Sequence, residues 1–151
     1  MIFIEGKPDE VLVRALGVPR REVSTARDKF RVCIKLSKRQ RSKGMIDQDP
    51  GTVQPEYLQK LRLTEEKHRI QIFYDNKSKN TLIMLCPRLE EWMIATTQAA
   101  GLKMSDFGLS DKGNELHREI NGRLQAVQKL IEKLLEIESS GIVFLKKHLH
   151  S

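Results

Sequence analysis

The chain has 151 residues, with 27 Lys plus Arg against 20 Asp plus Glu, a formal net charge of +7 and a sequence pI of ≈ 9.5. At 39% hydrophobic and 31% charged residues it has the composition of one globular domain, too apolar for a disordered chain and long enough to bury its own core. There is no apolar run near the ~20 residues of a membrane helix, no signal peptide and no Cys-x-x-Cys pair, so a cytoplasmic protein is expected, with Cys33 and Cys86 reduced and neither zinc ribbon nor disulfide framework.

Residues 1–5 read as a short buried strand. Gly6-Lys7-Pro8 then turns into a helix with Val11, Leu12, Ala15 and Leu16 inward, Pro8 suiting its first turn and Gly17 ending it. Ser24-Thr25 caps a second, basic helix whose inner face is Phe30, Cys33, Ile34 and Leu36, although Arg31 to Leu36 also alternates in part as a strand would. Here the charge is concentrated. Between Arg20 and Lys43, ten basic residues meet only Glu22 and Asp28, an excess of +8 that leaves the rest of the chain at −1. Such a stretch suits nucleic acid, since neutralising phosphates releases counterions; the alternative is a solvated helix face. Phe30 is its only aromatic residue, so a base-stacking platform is not indicated.

Gly44-Met45-Ile46 is a second short apolar run, ending in Asp47-Gln48-Asp49 and the turn pair Pro50-Gly51. Pro55 to about Glu66 is expected to be a helix with Tyr57, Leu58 and Leu61 inward. Ile70 to Tyr74 and Thr81 to Leu85 flank a polar loop and read as a hairpin or a pair of strands. A helix from about Arg88 to Ala100 stops at Gly101. After a loop from Ser105 to Gly113, one long helix is expected from about Asn114 to Glu138, with an apolar stripe from Leu116 to Ile137. That stripe covers the sheet or, at near-heptad spacing, forms a homodimer interface. His68, His117, His148 and His150 show no metal-ligand spacing, and the terminal His-Leu-His reads as tail. The fold class is α/β: one domain over residues 1–151, with a mainly parallel central sheet flanked by helices. Residues 1–87 form its core and 88–151 a helical extension packed on it, and ligands are expected at the carboxyl ends of the parallel strands.

Both leading strands end in acid, at Glu5 and at Asp47 and Asp49. In adjacent parallel strands these carboxylates would leave the same edge, and on a continuing strand Asp47 and Asp49 would face the same side. Mg²⁺ is a hard ion that takes one or two carboxylates and leaves its other positions to water and phosphate oxygens. Asp9 would stand behind these ligands or act as an ordinary acid of the first helical turn, and Asp-Pro-Gly is also plain turn chemistry.

Glu5-Gly6 after the first strand, with Asp47-Gln48-Asp49 after the later one, resembles the Glu-Gly and Asp-x-Asp motifs of Toprim domains. Pro87, Glu90 and Trp92 further resemble a Pro-x-x-Glu-x-Trp element of stand-alone Toprim-like proteins associated with phage defence. The resemblance implies a compact Toprim-like α/β fold, Mg²⁺ or Mn²⁺ on Asp47 and Asp49, and Glu5 as ligand or general acid/base on a phosphodiester. It makes Glu90 a further ligand or an acid standing behind the ligands, against its reading as an exposed first-turn acid. The chain lacks the tyrosine domain of topoisomerases and the further modules of primases. A metal-dependent nuclease is therefore expected, with Lys7, Arg27, Lys29 and Arg31 as phosphate contacts, nucleic acid as partner and no membrane. The alternative is a non-catalytic nucleic-acid-binding or assembly subunit of a defence or toxin system.

Overall fold

The computed structural model describes all of residues 1–151. Short apolar segments form a six-stranded sheet in the order β2-β1-β3-β6-β5-β4: β1 (Ile2–Ile4), β2 (Val23–Thr25), β3 (Lys43–Asp47), β4 (Arg62–Lys67), β5 (Ile70–Asp75) and β6 (Asn80–Leu85). Strands β2, β1, β3 and β6 run parallel, while β5 and β4 add on antiparallel as a mixed edge. Six helices cover it: α1 (Lys7–Ala15), α2 (Lys29–Ser37), α3 (Leu89–Ala99), α4 (Gly113–Glu119), α5 (Leu124–Glu136) and α6 (Ser140–His150). No helix is long and apolar enough to cross a membrane.

The period of two in the central strands divides the core between the faces. Ile2, Ile4, Met45, Ile83 and Leu85 point to the larger cluster, shared with α1, α3, α5 and α6. Phe3, Ile46, Leu82 and Met84 point to the smaller one, under α2 and the turn that carries Tyr57. Gly44 in β3 lets α2 close on this second face, because a Cβ there would stand 3.1 Å from both Val32 Cγ1 and Leu82 Cδ1.

Several local expectations fail for identifiable reasons. Ser24 and Thr25 cap no helix, because they pair with β1; the cap of α2 is Asp28, whose Oδ1 accepts the Arg31 N–H at 2.9 Å. The inner face of α2 is Val32, Cys33 and Leu36, leaving Phe30 and Ile34 on the surface. Pro55 to Glu66 is not a helix. Only a 3-10 turn forms at Glu56–Lys60, and the following polar residues make the edge strand β4, whose mostly exposed pattern carries no apolar alternation to read. The long C-terminal helix is broken at Ile120–Gly122 into α4 and α5, and the supposed tail is α6, which buries His148. Leu116, Ile120, Val127, Leu130, Ile131 and Leu134 of the apolar stripe are buried within the chain itself.

Candidate functional site

β1 and β3 are neighbours, so their carboxyl ends open at one edge of the sheet. Glu5 follows β1 and Asp47 ends β3. The Glu5 Oε2 accepts the backbone N–H of Asp47 at 2.8 Å, which ties the two strand ends together. Asp47 Oδ1 in turn accepts the N–H of Leu89, at the start of α3, at 2.9 Å. Asp9 sits in the first turn of α1 and its Oδ2 accepts the Gly6 N–H at 3.1 Å. Each of these three carboxylates is thus oriented by a backbone donor on one oxygen, and none of them has a Lys, Arg or His side chain at ion-pair distance.

Their electrostatics follow from that arrangement. Burial raises the Glu5 carboxyl to about 7, against the lowering effects of the Asp47 N–H and the Lys29 charge, with the Asp49 charge adding to the rise. Burial and then the charge of Glu5 hold Asp9 at about 7. Asp47 is pushed up to about 9, by burial first and then by Asp9, Glu5, Glu90 and Asp49. The acids are close enough to repel one another, and their burial, complete for Asp9 and partial for Glu5 and Asp47, weakens screening by water.

Asp49 stands differently from its expected place. The strand does not continue through it: its φ is +44°, and its Oδ2 lies 4.0 Å from Lys29 Nζ. Lys29 is itself buried and donates to Thr52 Oγ1 at 2.9 Å, and to Gln48 O and Gln54 Oε1 at 3.4 Å each. It therefore holds the acidic loop in place and is no free phosphate contact. Arg31 is exposed and paired with Asp28 at 3.6 Å, whereas Lys7 and Arg27 are exposed with no carboxylate partner.

Glu90 is not the exposed acid of the plain helix reading. It is only 5% exposed, and its Oε2 lies 3.1 Å from Nδ1 of His117 on α4, with Arg88 Nε 3.9 Å from its other oxygen. Arg88 also grips Glu91 and donates to Asn114 Oδ1 at 2.9 Å. His117 and Arg88 are thus part of the acidic edge although sequence spacing gave no sign of His117, which lies on a separate helix and meets Glu90 only through folding. Beside this cluster, an open groove of ≈ 520 Å³ is lined by Asp49, Thr52, Arg88, Glu91 and Asn114.

No set of three or more Asp, Glu, His or Cys side chains is grouped as a ready-made metal cage. The donor set nevertheless suits a hard divalent ion. It is all oxygen and partly buried, and such an ion needs only one or two carboxylates beside water and substrate oxygens. Comparison of the chain with protein families, with curated proteins and with solved structures finds no match.

Proposed function

We propose that this protein carries out metal-dependent chemistry on nucleic-acid phosphodiesters, as a nuclease. The observation that carries the reading is that Glu5, Asp9 and Asp47 come together where two adjacent parallel strands end, Asp9 buried and the other two half-buried, with no Lys, Arg or His side chain at ion-pair distance. The resemblance of Glu5-Gly6 and Asp47-Gln48-Asp49 to Toprim motifs supports it, as does the basic excess between Arg20 and Lys43. Asp47 and Glu5 would hold Mg²⁺ or Mn²⁺, with Asp49 and Glu90 as the carboxylates next in reach and Asp9 behind them. A bound ion of this kind neutralises charge on a phosphoryl oxygen and lowers the pKa of a coordinated water.

The chain's own groups supply the rest. Where Asp47 holds the ion and Glu5 stays off it, the Glu5 carboxyl, raised toward neutrality, accepts or returns a proton in the pH range where a general base works best. Lys29 fixes the loop that carries Asp49, while Lys7 and Arg27 are free to meet substrate phosphates. The open groove along Thr52, Arg88 and Asn114 gives a strand a way in.

The test is cleavage of labelled single- and double-stranded DNA and RNA with Mg²⁺, Mn²⁺ or EDTA. The native chain should cut only with metal, and Asp47→Asn and Glu5→Gln should each lose at least about a hundredfold in rate, the scale of one lost acid/base or metal contact. Salt-sensitive binding without cutting by any form would overturn the nuclease reading in favour of a binding or assembly subunit.

A further inference from the structure

A second cavity, of ≈ 390 Å³, lies between the end of α3, the β4–β5 turn and the start of α6, and shares no residue with the acidic edge. Two hydroxyl residues on its wall, Thr96 and Ser139, are 6% and 9% exposed. Neither hydroxyl has a hydrogen-bond partner in the protein. The contrast with Thr97 is informative: that neighbour donates to the Met93 carbonyl at 2.8 Å, the usual arrangement for a threonine inside a helix, whereas Thr96 makes no such bond. Ser139 occupies the N-cap position of α6, yet its side chain caps nothing.

The backbone adds donors to the same wall. No carbonyl accepts from the N–H groups of Ser140, Gly141 and Ile142, so the first turn of an eleven-residue helix presents its positive end with its donors free. Gly141 allows the approach, because a Cβ there would come 3.1 Å from Thr96 Cγ2. Facing them is the turn of His68 and Arg69, both in the left-handed region with φ of 53° and 60°. The turn is anchored from below: Trp92 Nε1 donates to the His68 carbonyl at 3.1 Å, and the Cys86 N–H to the Arg69 carbonyl at 2.9 Å. Alanines of α3 and Ile137 give the cavity an apolar side.

We propose that this cavity binds the phosphoryl group of a small phosphate monoester. Residues with donors line it on three sides: the α6 amides with Ser139, Thr96 of α3, and Arg69 of the β4–β5 turn. That spread suits a tetrahedral oxyanion better than a planar carboxylate, and a helix N-terminus is a natural phosphate seat. The apolar side suits an organic group attached to the phosphate. Glu138 also lines the cavity and opposes any anion, which provides a variant of opposite sign. The inference stands apart from the nuclease reading, since it needs neither the metal nor the acidic edge.

The experiment is calorimetric titration of the full chain, in EDTA, with inorganic phosphate and separately with adenosine monophosphate. Saturable binding is expected, weakened at least tenfold by Thr96→Val and by Arg69→Gln, tightened by Glu138→Gln, and unchanged by Lys38→Gln in the basic segment. Tighter binding of the nucleotide supports the ester as ligand, and equal affinity assigns the seat to free phosphate and overturns the ester. Arg69 is exposed, so Arg69→Gln keeps the test decisive if Thr96→Val fails to fold. Absence of saturable binding, or binding indifferent to both substitutions, overturns the site.

Discussion

Glu5 shows how a single residue can work against the fold that positions it. Its Oε2 satisfies the Asp47 N–H, a bond that glutamine can keep through its amide oxygen. Its charge, by contrast, is desolvated and opposed by Asp49, which is why the carboxyl is raised to about 7. In metal-free buffer at pH 8, Glu5→Gln should therefore be more stable than the native chain, by about 1–3 kcal/mol, while losing metal-dependent cleavage. Urea unfolding with the denaturant slope unchanged checks the first part. A loss of stability in Glu5→Gln would mean that the carboxylate is stabilised by its surroundings, and the desolvation and repulsion ascribed to Glu5 would be wrong.

At the scale of elements, the strand ends were readable because short apolar runs passed directly into acids, as at Ile4-Glu5 and Ile46-Asp47. The α3 boundaries and the β5–β6 hairpin were readable for the same reason, a clean change from apolar pattern to turn residues. What could not be read were features decided by tertiary contact. β2 is three residues long and exists only through pairing with β1; β4 is a charged edge; and the break between α4 and α5 falls at Asn121-Gly122 within an otherwise continuous stripe. The same holds at the site, where Lys29 turned out to hold the acidic loop and His117 to meet Glu90. Gly44 is a further case, since its role depends on α2 lying across β3. Val32, Leu36 and Leu82 around it are all 0% exposed and have little room to yield. Gly44→Ala should cost about 1–3 kcal/mol by overpacking, read as a lower denaturation midpoint with the fold retained. An unchanged or raised midpoint would show that α2 is not seated tightly on this face.

For the molecule as a whole, the acidic edge links folding to pH and to metal. The carboxyls of Glu5, Asp9 and Asp47 lie above their ordinary values of 4.5, 3.8 and 3.8 in the folded chain. Between those values and their raised ones, the folded state holds protons that the unfolded chain has released. Stability must then fall as pH rises, first through about 7 for Glu5 and Asp9 and on to about 9 for Asp47. His148 acts with the opposite sign, because burial lowers it below 6.5, so its effect is confined to pH values under that. From pH 6.5 to 8.5 the acidic edge should dominate, and the thermal midpoint of the chain in EDTA should decline steadily across it. A divalent cation bound by these carboxylates favours their charged forms and stabilises the folded state by mass action. Millimolar Mg²⁺ should thus raise the midpoint more at pH 8.5 than at pH 6.5 and flatten the decline, and Asp47→Asn should blunt both the decline and the response to metal. A midpoint that holds level with pH, or a response to Mg²⁺ that survives Asp47→Asn, would separate the carboxylates from any metal the protein binds.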